Sequence, residues 1–319
     1  MPHVNDAHRR AECARLLGGP ARLDRAARAG GCRVIDTSSP AQQEFQALLL
    51  WSLLSPRRSL RWDSGRGRAF RDLHSYYTWV SPQPEYLAMG WTVAARVARY
   101  LLPDLRSDYD GQPCCSGIPG LRLAGIAKGS IQLTHLPTGG ALELHEASRF
   151  RPAIMADALR LETCHSPEDQ RGYEAGERLW QRPELHEAET ADLAAWTLSR
   201  HAPVLSAVMA RIHVLWRHWR HRAELDISPA TGWPRLSWWA GPDTDEFARL
   251  LVASAIEADG AQWMYGQENS LVITLDGSRL ELRGPASDQA LNIRGEESLT
   301  YQQRYWYFSA MPDHQGVPV

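Results

Sequence analysis

An α+β fold is what this sequence predicts: mostly helical, with an antiparallel β-meander at about 120–146 and a C-terminal antiparallel β unit at about 270–308. Three observations carry that expectation. Segments with period-two alternation cluster in two places instead of alternating with helices, which argues against a doubly wound sheet. Before and between them, apolar residues recur at helical spacing. The composition, 44% hydrophobic and 23% charged over 319 residues, is ordinary for a globular chain and excludes collagen-like and fully disordered classes. The length suits about two domains. They are read as a helical region with a basic loop at 1–115 and an α+β region at 116–319, or as one continuous domain.

Residues 1–40 carry seven arginines against four acids and read as short, loosely attached helices. Pro40 to about Leu54 is a better helix, with Ser39 as N-cap and Pro40 in the first turn. Residues 56–72 form a basic loop holding Arg57, Arg58 and Arg61. Pro84 to Leu102 reads as a third helix, closed by Pro103. Gly120–Ala124, Ser130–Leu136 and Ala141–His145 then alternate, separated by the turn sequences Ala-Lys-Gly-Ser and Pro-Thr-Gly-Gly. Helices follow at about 152–165, 168–181, 187–201, 203–225 and 243–259. The run 270–275, the Asp276-Gly277 turn and 278–283 give a tight-hairpin signal, with further strands at 289–294 and 299–308. Leu144-His-Glu-Ala recurs as Leu185-His-Glu-Ala, which reads as chance, because one copy ends a strand and the other precedes a helix.

The formal charge of −2 hides an imbalance, since Lys128 is the only lysine and the other 34 cations are arginines. That bias reads first as codon usage in a GC-rich bacterium. Five cysteines without a C-x-x-C pair argue against a disulfide framework and a zinc ribbon. With no signal-like N-terminus and no apolar stretch of spanning length, a cytoplasmic protein without a membrane partner is expected. Oligomerisation stays open.

Two candidate sites stand out. In the expected helix at 203–225, Leu205, Val208, Met209, Ile212, Leu215, Trp216 and Trp219 share one stripe. Arg211, Arg217, His218, Arg220, His221 and Arg222 occupy the rest of the circumference. Like charges on one face repel, and a phosphate backbone, an acidic protein surface or acids elsewhere in the fold would offset them. The acid-rich stretch 143–192 is an internal source. The leading reading is therefore a non-enzymatic protein that binds nucleic acid or an acidic protein partner through this helix, assisted by Arg57, Arg58 and Arg61, with no cofactor. The second site is Glu162-x-x-His165, whose spacing aims a carboxylate and an imidazole at one ion, with Glu189 and Asp192 as a further i, i+3 pair. It supports an alternative reading as an enzyme dependent on iron, manganese or zinc, against a plain His–Glu hydrogen bond. The Gly-x4-Gly run before Lys128 lacks the phosphate-loop order and reads as a hairpin turn. Gly232–Trp239 is an aromatic connector, either covering the core or exposed as a contact.

Overall fold

A computed structural model describes residues 36–55, 77–83, 85–92, 94–107, 113–127, 129–146, 177–213, 223–238, 244–252, 260–266 and 270–284. The elements are α1 (Pro40–Leu54), β1 (Tyr77–Pro82), β2 (Tyr86–Trp91), α2 (Ala94–Leu101), β3 (Asp104–Ser107), β4 (Pro113–Ser116), β5 (Leu121–Ala127), β6 (Ser130–His135) and β7 (Ala141–Glu146). After these come α3 (Glu187–Ala194), α4 (Ala202–Ala210), β8 (Ala223–Ile227), β9 (Pro234–Trp238), α5 (Thr244–Val252), β10 (Gln262–Tyr265), β11 (Leu271–Leu275) and β12 (Ser278–Arg283). Single 3₁₀ turns at Leu179–Gln181 and Ser199–His201 precede α3 and α4.

The expectation of a mostly helical chain is overturned. Among the described residues 39% lie in strands against 34% in helices, with five α-helices and three sheets. Three segments read as helix or connector are strand, and β1, β3, β4 and β10 lie where no element was expected. Tyr86–Trp91 is strand β2, so the helix expected from Pro84 starts only at Ala94. The helix expected over 203–225 is interrupted at Arg211, Ile212 and His213 are helical again, and Ala223–Ile227 is strand β8. The aromatic connector contains β9. Most of the helix expected over 168–181 lies outside the described residues, as do those at 152–165 and the strands at 289–294 and 299–308; Leu179–Gln181 is a 3₁₀ turn. Short apolar runs such as Tyr86–Trp91 fit a helix face and a buried strand equally well, and here tertiary pairing decides.

The two large sheets are also not purely antiparallel. One runs β1-β2-β7-β6-β5 and the other β10-β11-β12-β9-β8. In the first, β2 pairs in parallel with β7, placing Leu87 beside Leu142 and Met89 beside Leu144. In the second, β9 pairs in parallel with β12, placing Leu236 beside Leu282. Every other pairing in both sheets is antiparallel.

These two sheets are the same construction made twice. Apart from the β3–β4 pair inserted between α2 and β5, each half reads helix, hairpin, helix, meander: α1-β1-β2-α2-β5-β6-β7, then α4-β8-β9-α5-β10-β11-β12. In each, the last strand enters the middle of the sheet beside the second hairpin strand. Both leading helices carry proline in their first turn. Both hairpins end on a buried tryptophan, Trp91 and Trp238. The end of β7 meets the start of α2 through Ala94 N–H to Glu146 Oε2 at 2.9 Å. The end of β12 meets the start of α5 through Gly284 N–H to Thr244 Oγ1 at 3.0 Å. The third residue of α1, Gln42, bonds both backbone groups of Ala141, which opens β7. The third residue of α4, Val204, donates to Ser278 Oγ, which opens β12. The duplication is invisible in the sequence, and the four-residue repeat noted above is unrelated to it.

Helices α1 and α4 pack on each other, while α1 touches β8 and α4 touches β1. That reciprocity is what two copies facing each other produce. One continuous core runs through both halves, from Phe45, Leu87, Leu133 and Leu144 to Leu205, Leu236, Ile273 and Leu280. The inner faces of the meander and the hairpin are buried as their alternation implies, and α2 lies over β6 and β7.

Candidate interaction surface and buried ion pairs

Arg211 closes α4 and is only 1% exposed. A buried guanidinium needs acceptors for its donors. Nη1 and Nη2 reach Asp36 Oδ1 and Oδ2 at 2.5 and 2.7 Å, and Nη1 also reaches Ala207 O at 2.8 Å. The structure thus places this arginine inside, tying α4 to the segment leading into α1. Arg217, His218, Arg220, His221, Arg222, Arg57, Arg58, Arg61, Glu162 and His165 lie outside the described residues.

Glu189 and Asp192 share one buried face of α3, as their i, i+3 spacing requires. Glu189 takes both prongs of Arg122, Nη1 to Oε1 at 2.8 Å and Nη2 to Oε2 at 2.9 Å. The N–H groups of Gly120 and His186 add bonds at 2.7 and 2.9 Å. The second belongs to a capping box in which His186 Nδ1 accepts from Ala188 N–H. Burial alone would raise the Glu189 pKa, but the arginine and the two backbone donors outweigh it and hold the carboxyl below its usual range. Asp192 Oδ2 accepts from Cys115 N–H at 3.3 Å. Burial, with Glu189 and Asp192 nearby, pushes the Cys115 thiol well up.

Alternation with Leu121 and Leu123 puts Arg122 on the side of the meander away from the core, where a side chain ordinarily meets solvent. It is 7% exposed instead, because the chain at 182–189 lies across it and supplies the carbonyls of Arg182 and Glu184 at 2.7 and 2.8 Å. On the same outer face the indole of Trp79 lies over Gly90, where any side chain would collide with it, and 5.2 Å from the His145 ring. Much of the outer face of the first sheet is therefore occupied from within.

The second sheet differs. Its outer face carries Glu224 and Asp226 on β8, Arg235 on β9, and Arg279, Glu281 and Arg283 on β12. Asp226 holds Arg235 at 3.1 and 2.7 Å, Glu281 stands opposite Arg235 in register, and the Arg279 guanidinium lies 4.8 Å over the Trp233 ring. Arg279 and Arg283 are exposed. The aromatic connector thus divides: Trp238 covers the core, 5.3 Å from Phe247, while Trp233 serves the outer face. At the edge, β10 exposes Met264 (57%) and Tyr265 (73%).

Among the described residues no three His, Cys, Asp or Glu side chains gather as a metal set, and no helix is long and apolar enough to cross a membrane. Comparison with known proteins finds no matching family model, no similar curated protein and no similar solved structure. Sequence reasoning missed Arg122 and the Trp233–Arg279 pair. Period-two alternation tells which side of a strand a residue occupies, not whether another segment lies on that side.

Proposed function

We propose that this protein acts by binding another protein, and that the outer face of the C-terminal sheet is the contact surface. The observation that carries the reading is the inequality of the two halves. Built alike, they differ in that the first uses Arg122 and Trp79 on its outer face for internal packing, while the second leaves Arg283 exposed there, and Arg279 exposed beside Trp233. Arginine and tryptophan are the side chains most enriched where protein interfaces concentrate their energy. The three arginines of this face alternate with three acids, which suits a partner of mixed charge better than a uniformly anionic nucleic acid.

Thr274 on β11 and Thr134 on β6 occupy corresponding outer positions. A photo-activated cross-linking residue at 274, in cells of the native host, is expected to give a discrete protein adduct that Arg279→Glu abolishes. The same residue at 134 should give none. Equal adducts at both positions, or adducts with nucleic acid only, would overturn the reading.

A further inference from the structure

The edge strand β10 is short and uncharged throughout: Gln262, Trp263, Met264 and Tyr265. Exposed sheet edges are ordinarily guarded by charged side chains, proline or a covering segment. Its counterpart in the first half, β5, has such a cover, since the 3₁₀ turn at Leu179–Gln181 packs on it and Arg122 is pinned from outside. Nothing equivalent lies on β10 among the described residues, and Met264 and Tyr265 are the two most exposed large apolar side chains described.

The backbone register adds a symmetry argument. Gly266 N–H bonds Ser270 O, and Met264 stands opposite Val272 two residues away. In an antiparallel ladder, hydrogen-bonded and non-hydrogen-bonded pairs alternate. Met264 therefore directs its N–H and C=O toward β11, while Trp263 and Tyr265 direct theirs to the open side. The outward groups fall evenly about Met264, so an identical strand running the other way would set Trp263 against Tyr265 of the second copy, and the reverse. Four main-chain hydrogen bonds would form. The rings of Trp263 and Tyr265, already 5.3 Å apart edge to face, would meet their equivalents on one side. The two Met264 side chains would oppose each other on the opposite side, with no charge brought against its like.

We propose that β10 is a self-complementary edge through which two copies of this chain pair antiparallel about a twofold axis at Met264, joining their C-terminal sheets into one. This contact goes beyond the binding face proposed above and stands on separate residues.

The test uses the full chain in sedimentation equilibrium. The parent protein should show a concentration-dependent mass rising toward twice that of one chain. Met264→Glu, which sets two carboxylates face to face, should hold it monomeric with an unchanged circular dichroism spectrum. Tyr265→Pro, which removes an outward N–H while leaving the β11 ladder intact, should weaken association at least tenfold. In a background with Cys13, Cys32 and Cys164 changed to Ser, Met264→Cys should form an interchain disulfide under mild oxidation, and Thr274→Cys should not. A parent that stays monomeric at concentrations of about 100 µM, at which even weak pairings register, would overturn the proposal. So would association that survives Met264→Glu, which would place the contact elsewhere, or no cross-link at position 264.

Discussion

Glu189 and Arg122 face each other as a bidentate pair, 67 residues apart in sequence, with the carboxylate fully buried and the guanidinium nearly so. Through this pair α3 is fastened to β5, and two backbone N–H groups complete the carboxylate's bonding. Breaking a buried pair from one side leaves an uncompensated charge, whereas replacing both partners with apolar groups is often neutral or better. Glu189→Ala should cost about 3–5 kcal/mol in urea unfolding. The double change Glu189→Leu with Arg122→Met should recover most of that loss. A single-site loss under about 1 kcal/mol would show that the pair is solvated.

Arg211→Gln is expected to act on stability, since the guanidinium is enclosed and Asp36 stays partly accessible, its side chain 27% exposed. A loss of about 2–4 kcal/mol is expected in thermal unfolding. Asp36→Asn should cost at least as much, because it leaves the enclosed guanidinium without its counter-charge. A stability change below about 0.5 kcal/mol would refute this assignment, as it is the range of ordinary surface substitutions.

His135 gives the fold a pH limit. Its Nε2 donates to Pro119 O at 2.9 Å, so Nδ1 accepts from the Thr138 hydroxyl at 2.9 Å, and the ring is neutral. Burial lowers its pKa from 6.5 to about 4. The unfolded chain takes up this proton below about pH 6.5 and the folded chain only below about 4, so stability falls as pH drops through that window, by about 3 kcal/mol in all. In His135→Gln the loss of stability between pH 6.5 and 4 should be smaller by a comparable amount. Equal pH slopes in parent and variant would exclude the assignment.

The thiols of β4 should be inert. Cys114 and Cys115 are buried, and the Cys115 pKa is raised by burial and by the adjacent carboxylates. Only thiolate reacts with disulfide reagents at a useful rate. With Cys13, Cys32 and Cys164 changed to Ser, the folded protein should show no titratable thiol at pH 8, and two after denaturation. Rapid labelling in the folded state would contradict the burial of this strand.

The sequence carried the local elements well and the long-range ones poorly. Ser39 accepts from Gln42 N–H as an N-cap, Asp276-Gly277 turns a hairpin, and the meander strands fall where alternation puts them. Each depends on neighbours in the chain. What escaped notice depends on partners far away. Tyr86–Trp91 becomes a strand because β7, some 55 residues later, pairs with it in parallel. Ala223–Ile227 leaves its apparent helix because β9 is there to receive it. Glu189 and Asp192 read as ligand candidates because their spacing is visible, whereas the arginine and backbone donors that occupy them are not. The duplication left no trace, because a fold constrains burial and pairing at each position and leaves residue identity largely free.

The central placement of β7 and β12 has a consequence for synthesis. Each is the last strand of its sheet to be made, and each lies between two strands already present. A nascent chain that has reached residue 140 holds the first large sheet as two separate hairpins, β1–β2 and β5–β6, and a two-stranded hairpin alone is marginal in water. The next six residues join them. The second half repeats the arrangement, so a chain ending before Ser278 leaves β8–β9 and β10–β11 unjoined. Each sheet is thus withheld until its final strand clears the ribosome, and a prematurely terminated chain leaves the apolar faces of its hairpins unjoined.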